Sequence, residues 1–567
     1  MSEPTPTSNT PPTAGGDPVA DRRAKLDRIR QELGIDPFGG RVEGLIPLAD
    51  ARACYDQAAD EAHKALGKNA DPAQDARPTV RVAGRIMLHR DIGKLVFMTL
   101  RDATGDLQVA VSKNAVDETA FKLAKLVDLG DIVHATGRLG QTKTGEITVW
   151  AAEFALASKS LTPPPEKWHG LQDAELRYRQ RYVDLWANPE VMRTMQLRIR
   201  IVEEIRQYLR DHGYAEVETP MLQPIHGGAA ARPFITHHNA LDMRLFLRIA
   251  PELYLKRLLV GGFSKVFEIN RNFRNEGVSP RHNPEFTMLE AYAAFGSWET
   301  MADMVEDMVC TVAMKVFGTL KIEHRSAEAP HANAGLSTES VTRTINLKRP
   351  WRRARMDDLV HERLELDFNR SGLSAAEIRY VADLLAARKV REERQWVDEN
   401  VPAGDIQAHD PIFDEMQSEQ REKLVDHIDA LSPAEQLVEV YEKLIEPTLI
   451  DPCFVTHVPS VCIPLARESK ADPFFADVYE LVINGVEISP GYTELNDPEV
   501  QERHLRHQVG DREEQQQLDE DFINALRVGM PPAGGMGLGI DRLVMMLTGA
   551  QSIRDVILFP LMRPEKG

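Results

Sequence analysis

Hydrophobic and polar positions recur with different periods along this chain, and each change of period marks a part of it. Residues 1–21 carry Pro, Thr, Ser and Gly with almost no large apolar side chains, so burial cannot offset the entropy of ordering them, and a disordered tail is expected. From 22 to 76 the pattern is helical, with charged faces in ADRRAKLDRIRQEL and CYDQAADEAHKAL. Over 77–160 it turns to strands: VRVAGRIML, LVFMTLRD, DLQVAVS, DIVHATGRL and EITVWAAEF, with one helical piece near Thr119–Leu126. Strands this short with an interposed helix fit a small closed barrel of the oligonucleotide-binding (OB) type.

Pro163–Pro165 stand in a linker, 161–178, that leads into a larger region, 179–567. A polar helix in EKWHGLQDAELRYRQRYVDLW is followed by a long amphipathic one, in which Ile199, Val202, Ile205 and Leu209 recur at helical spacing and DHG, ending at Gly213, stops the run. YAEVETPML reads as a strand whose Pro220 removes a ladder donor, which favours an edge or an interface. Helix and edge strand together suggest contact with a second copy of the chain. About 370–446 is helical and charged, an insertion between segments richer in chemistry.

Composition narrows the setting. A chain of 567 residues, 43% hydrophobic and 27% charged, has room for several domains of ordinary globular character. No apolar run approaches the roughly 20 residues needed to span a bilayer, and no basic-then-apolar segment opens the chain, so a cytoplasmic, membrane-free setting follows by default. A net charge of -19 argues against indiscriminate polyanion binding but not against a nucleic acid held by local basic patches. Arg22, Arg23, Lys25, Arg28 and Arg30 form such a patch, which reads equally as an RNA contact or a solvated helix face. Cys54, Cys310, Cys453 and Cys462 have no metal or disulfide spacing and read as buried thiols.

The densest chemistry lies in FRNEGVSPRHNPEFTMLEAY, 273–292, which reads as strand, loop, strand. Arg274 ends the first strand, where its planar guanidinium can clamp a phosphate or carboxylate, and strand alternation places Glu276 on the same face. Beyond a loop bracketed by Gly277 and Pro280, Phe286, Met288, Glu290 and Tyr292 share one face of the second strand. A salt-bridged surface hairpin is the plainer alternative. In GGMGLGIDRL the glycines allow a ligand to approach the backbone, with Arg542 on the first turn of the helix that follows. Neither a Rossmann GxGxxG with its distant acid nor GxxxxGK[ST] is present, so a nucleotide must be held by arginine clamps. In YELVINGVEISPGYTELND, Glu480, Glu487 and Glu494 recur at seven-residue intervals. In a hairpin Glu480 and Glu487 can face each other and hold Mg²⁺ against a triphosphate, the alternative being an exposed acidic face. On the barrel, Arg90, Phe97, Gln108 and Glu146 could stack on and hydrogen-bond to unpaired bases, although Phe97 alone reads as core.

These segments resemble the signature motifs of class II aminoacyl-tRNA synthetases, and within that class most nearly the lysyl-tRNA synthetases. VETPML is similar to motif 1 with its proline, FRNEGVSPRHNPEFTMLE to motif 2, and GLGIDRL with the trailing IRDVILFP to motif 3. GGAAARPFITHHNALD and LRIAPELYLKRLLVGG add similarity to the lysine enzymes, and the resemblance runs from about Arg22 to the C-terminus. It implies an α+β fold, an anticodon-binding OB barrel followed by an antiparallel sheet flanked by helices, working as a homodimer. The implied activity is ATP-dependent formation of lysyl-adenylate with Mg²⁺ and transfer of L-lysine to the 3′ end of tRNA(Lys), releasing AMP and diphosphate.

Residue by residue, the resemblance implies Arg274 on the α-phosphate and Arg542 on the γ-phosphate as catalytic clamps, and Phe286 stacked on adenine. Glu276, His282, Asn283, Glu487, Ile488 and Gly539 complete the ATP site, and Glu480 and Glu487 hold the metal. Gly228, Glu252, Glu290, Tyr292, Tyr492 and Glu494 surround lysine, Glu252 at the α-amino group and Glu290, Tyr292 and Glu494 at the ε-ammonium. Arg90, Phe97, Gln108 and Glu146 match anticodon-reading positions. Buried carboxylates are costly without a cation, so a dibasic amino acid suits this set where aspartate would be repelled. Two departures stand out: Pro490 where the family commonly has asparagine, and Val461 with Ile463 where it has glutamate and serine. The rival readings are a catalytically inactive tRNA-binding regulator and a lysine-activating paralogue that serves a non-tRNA acceptor.

Overall fold

In the N-terminal unit, Met1–Met192, period-two segments close into a barrel: β1 (Thr79–Asp91), β2 (Leu95–Arg101), β3 (Asp106–Ser112), β4 (Ile132–Gln141) and β5 (Ile147–Ser158), in the order β1-β2-β3-β5-β4. The computed structural model describes residues 17–66, 75–164, 171, 173–325, 342–368, 370–393, 418–508 and 518–564. Inward-facing Val82, Ile86, Val96, Met98, Val109, Val133 and Val149 fill the barrel, and the helix Glu118–Leu126 packs Phe121 and Leu123 onto the same core.

Most of the expected tail lies outside the described residues, but a helix, Pro18–Gln31, begins within it. Asp17 accepts from the Val19 N–H (3.0 Å) and Pro18 suits the first turn, two local signals that outweigh the polar composition around them. Two of its basic residues hold it to the rest of the unit, and a third pairs locally. Arg22 is buried and donates to the carbonyls of Leu129 (2.9 Å) and Ser160 (3.0 Å), Lys25 pairs with Asp128 at 2.5 Å, and Arg28 pairs with Glu32.

The second unit, Arg193–Gly567, adds β6 (Ala215–Glu216), β7 (Leu222–Gln223), β8 (Ile235–His238), β9 (Met243–Leu247), β10 (Lys265–Phe273), β11 (Glu285–Ala294), β12 (Lys321–Arg325), β13 (Thr342–Asn346), β14 (Arg352–Arg355), β15 (Cys453–Thr456), β16 (Val478–Ile483), β17 (Val486–Thr493) and β18 (Ala533–Gly539). Its main sheet runs β14-β15-β16-β17-β18-β11-β10-β6, antiparallel except where β14 meets β15 and β6 meets β10. Phe267, Leu289, Ala291, Leu481 and Leu538 point to one face and form a core with Val305 and Met308 of the helix Trp298–Phe317, with Ile201 and Ile205, and with Leu543 and Val544. Alternation sends Phe286, Met288, Glu290 and Tyr292 to the opposite face.

Three local expectations differ from what is observed. YAEVETPML is not one strand: only β6 and β7 form, and Pro220 lies in the loop between them, where it interrupts no ladder. On the long helix the buried stripe is Ile201, Ile205, Tyr208 and Leu209, while Ile199 is 55% exposed. Cys54 is exposed rather than buried. In the polar segment before the long helix, the described residues form two short helices, Ala174–Arg179 and Arg181–Ala187. Within the expected insertion, the helices Ala375–Glu393 and Pro433–Val440 bury Ile378, Val381 and Leu437 against Val455, Val478 and Val482 of β15 and β16; residues 394–417 lie outside the described residues. Among the described residues no helix is long and apolar enough to cross a membrane.

Candidate functional site

A cavity on the sheet face away from the large helices is lined by Arg274, Glu276, His282, Asn283, Phe286, Glu487, Ile488, Gly539 and Arg542, the whole set expected around ATP. β10 ends at Phe273, and the Arg274 N–H donates to the Pro284 carbonyl (2.9 Å), which closes the loop at its base. The Arg274 guanidinium lies 5.1 Å from the centre of the Phe286 ring, and its buried Nε has no protein partner. Burial pulls its pKa down, opposed by the Glu276 and Glu487 carboxylates. A desolvated cation with a spare donor is suited to an incoming anion. The strand argument for Glu276 fails because the strand has already stopped. A tight turn, with the Glu276 N–H donating to the Arg274 carbonyl (2.9 Å), brings both residues to the cavity instead.

Arg542 sits on the first turn of the helix Ile540–Thr548, donating through Nη1 to the Glu487 carbonyl (2.8 Å) and through Nη2 to His282 Nε2 (3.2 Å). A guanidinium only donates, so Nε2 accepts and the imidazole proton resides on Nδ1, 2.8 Å from Ser279 Oγ. Burial, and next Arg542, push the His282 pKa down, consistent with a neutral ring. Asp541, which the sequence reading did not single out, is buried and anchors this turn. It accepts from Arg198 (2.5 Å) and from the Thr287 N–H (2.8 Å). Its signal was an acidic side chain in the first turn of the helix that carries Arg542.

The glycines of GGMGLG were expected to let a ligand approach. They form β18, and what approaches is the site's own side chains: a Cβ at Gly535 would collide with Glu494 Oε1 and the Tyr292 ring, and one at Gly537 with the Met288 methyl. Gly539 alone of the strand lines the cavity.

The acidic hairpin also departs from its expected register. Glu480 opposes Pro490, and Glu487 opposes Val482, because a bulge interrupts the ladder between Leu481 and Val482. In a regular strand 487 and 490 would face opposite ways; the extra residue brings both to the cavity. Glu480 and Glu487 remain close. Burial, then Glu487, Glu446 and Glu442, push the Glu480 carboxyl far up, and Glu446 is raised to about 7 by burial and Glu487. Among the described residues no cluster of three or more His, Cys, Asp or Glu is arranged to hold a metal unaided. Val461 is 70% exposed, whereas Ile463 packs on the core beside the insertion.

Deeper along β11, the residues expected around lysine form a second, buried cluster. Glu252, Glu290, Tyr292 and Glu494 are each at most 5% exposed, and Tyr492 is half-buried beside them. Gly228, at φ 87°, leaves only 3.1 Å between a would-be Cβ and the Glu252 Cβ, so a side chain there would close the pocket. Glu290 accepts from the Tyr292 hydroxyl (3.1 Å), and burial followed by Glu252 pushes its carboxyl far up. The chain, however, supplies its own cation. Lys256, fully buried, lies 2.7 Å from Glu252 and 2.5 Å from Glu494. Burial works against its charge, but the two carboxylates outweigh that and raise its pKa. The expectation that these acids wait unpaired for substrate therefore holds least for Glu252 and Glu494. Behind them Arg248 and Glu268 form another buried pair (2.6 Å) that the sequence reading missed.

On the barrel, Arg90 pairs with Phe97 across β1 and β2, and Gln108 lies one pair further along on β3, so the three share the outer face. Phe97 is half-buried between inward Val96 and Met98, and Trp150 meets it edge-on at 6.2 Å. The core reading of Phe97 fails on this alternation, and Trp150 adds an aromatic the sequence reading left out. Gln108 accepts from Thr148 Oγ1 (2.8 Å), and Glu146 pairs with Arg52 at 3.4 Å.

Comparison with known proteins covers both units. A family model described as tRNA synthetases class II (D, K and N) matches residues 173–563, and one described as OB-fold nucleic acid binding domain matches 80–157. The chain is 45% identical over 550 residues to a lysine–tRNA ligase of Carboxydothermus hydrogenoformans, spanning 96% of this chain and 98% of the relative. It is 41% identical over 551 residues to one of Bacillus subtilis (96% and 97%), and 42% identical over 555 residues to one of Clostridium novyi (97% and 95%).

Proposed function

This chain belongs to the class II tRNA synthetases and, within them, to the lysine–tRNA ligases, and from that premise we propose how its residues join lysine to tRNA using ATP. The observation that carries the reading is the adjacency of a cavity and a buried acidic cluster on one strand, Phe286 and Met288 of β11 in the cavity with Arg274 and Arg542, Glu290 and Tyr292 in the cluster. Phe286 stacks on adenine, Arg542 holds the γ-phosphate with His282 fixing its guanidinium, and Arg274 takes the α-phosphate. Glu276, Asn283, Ile488 and Gly539 position the rest of the nucleotide. The lysine carboxylate attacks the α-phosphorus in line, diphosphate leaves, and Arg274 stabilises the charge that develops. The terminal ribose hydroxyl of tRNA then attacks the acyl carbon and AMP departs. No side-chain nucleophile is needed.

Glu480 and Glu487 would hold Mg²⁺, whose charge would neutralise that of the triphosphate; two crowded carboxylates with phosphate and water oxygens suit its usual coordination. Gly228, Glu252, Glu290, Tyr292, Tyr492 and Glu494 receive lysine, and Pro490, lining the ATP cavity, leaves the contact of an asparagine to backbone or water. Residues 77–160 read the anticodon through Arg90, Phe97, Gln108 and Glu146, and 179–567 carry catalysis. We assign the active form as a cytoplasmic homodimer; the exposed apolar residues Leu222 (49%), Ile235 (55%) and Met243 (37%) on the small sheet β7-β9-β8 support a partner there.

Amino-acid-dependent exchange of diphosphate into ATP tests the reading. Exchange requires lysine, and Arg274→Ala lowers it by about 10²–10³-fold, as for loss of a transition-state donor. Exchange supported by aspartate or asparagine and not by lysine would refute it.

A further inference from the structure

We infer that Lys256 sets the charge of the amino-acid pocket and so acts as a positioning residue for its selectivity. This inference rests on the lysine-ligase reading above. Lys256 pairs with two carboxylates, Glu252 and Glu494, and Glu290 is a third acid beside Glu252, so with all three acids ionised the cluster carries -3 + 1 = -2. That charge would balance the two ammonium groups of lysine as they bind. Without Lys256 the pocket would carry one anion too many, and the surplus would be removed by protonating an acid that the substrate needs ionised.

The geometry favours this role over a merely structural ion pair. Lys256 stands one helical turn after Glu252 and points between it and Glu494, which comes from beyond the end of β17, so a single ammonium ties together carboxylates from two distant segments. Its third contact is the Leu465 carbonyl at 3.3 Å. Glu494 Oε1, lying against Gly535, is buried without a hydrogen-bond partner, so the carboxylate keeps acceptor capacity in hand. The ionisable partners of this cation are Glu252 from its own helix and Glu494; Glu290 and Tyr292 from β11 and Tyr492 from β17 interact in turn with those carboxylates. Glu494 is pushed up to about 7 by burial, with Lys256 opposing the shift.

Four full-length proteins test the inference: Lys256→Met, Lys256→Arg, Glu494→Gln and the double variant Lys256→Met/Glu494→Gln, each measured by lysine-dependent diphosphate exchange and thermal unfolding. Lys256→Met is expected to raise the lysine KM about tenfold or more with the ATP KM unchanged, and to move the acid limb of kcat/KM upward by about one pH unit as Glu494 loses its counter-ion. Lys256→Arg restores part of the affinity. The sharpest comparison is the double variant with Glu494→Gln alone. Charge counting gives -2 for the double and -1 for the single, so the double should bind lysine more tightly even though it lacks one more native side chain. A double variant no better than Glu494→Gln, or a folded Lys256→Met with an unmoved lysine KM and acid limb, would overturn the inference. Should Lys256→Met unfold, the double-against-single comparison decides alone. Absence of lysine-dependent exchange in the unsubstituted protein would instead refute the activity reading.

Discussion

At the scale of single residues, the ATP cavity depends on which groups can accept as well as on which carry charge. Arg542 offers only donors, and His282 Nε2 is one of the acceptors that fix its plane. The His282 pKa lies below its ordinary value of about 6.5, so the ring is neutral at physiological pH and protonates as pH falls through the depressed value. Protonation turns Nε2 into a donor facing a guanidinium. The ATP KM should therefore rise on the acid side, while in His282→Ala it should be about tenfold higher at neutral pH and flat with acidification, the loss expected for one hydrogen bond to a charged group. Steady-state exchange kinetics across pH would separate the two. Residue identity was highly legible here, since arginines, a histidine and acids clustered around turn residues already spoke of an anion. Their partners were less so: Ser279 stands only three residues before His282, but Arg198 and Asp541 meet through folding and not through sequence spacing.

At the scale of elements, β18 has little room for side chains at its glycines. Gly535→Ala would drive a methyl into Glu494 and the rigid Tyr292 ring, whereas Gly537→Ala meets only the end of a flexible thioether. The first should cost about 1–3 kcal/mol of overpacking and raise the lysine KM with little effect on ATP, and the second should cost less; thermal unfolding and exchange kinetics check both. The hairpin of β16 and β17 carried an unused signal, since Asn484 and Gly485 both have positive φ, the pair that a tight hairpin turn demands. Its register was hidden, as a bulge adds one residue without marking the sequence, and this is why Glu480 and Glu487 are neighbours without being opposed. Barrel strands were legible because one face is uniformly apolar, and β6 was not because so short an edge has no period to read.

At the scale of the whole molecule, the proposed function divides activation from recognition of the nucleic acid between the two units. Phe97→Ala and Trp150→Ala should each weaken tRNA binding by about 1–3 kcal/mol and leave lysine-dependent diphosphate exchange unchanged, because stacking on the barrel contributes nothing to adenylate formation. Filter binding alongside exchange would reveal any leakage between the two. The overall charge of -19 fits this division, since attraction to RNA must come from a local face rather than from the field of the molecule. β11 then has a consequence for substrate length. Phe286 and Glu290 stand four residues apart on a strand that rises about 3.3 Å per residue, so on the proposed reading base and side-chain ammonium would be read from points about 13 Å apart on an inextensible gauge. Ornithine, one methylene shorter than lysine, should then leave its terminal ammonium short of Glu290 when its carboxylate is in range of phosphorus, and its exchange rate should fall below that of lysine.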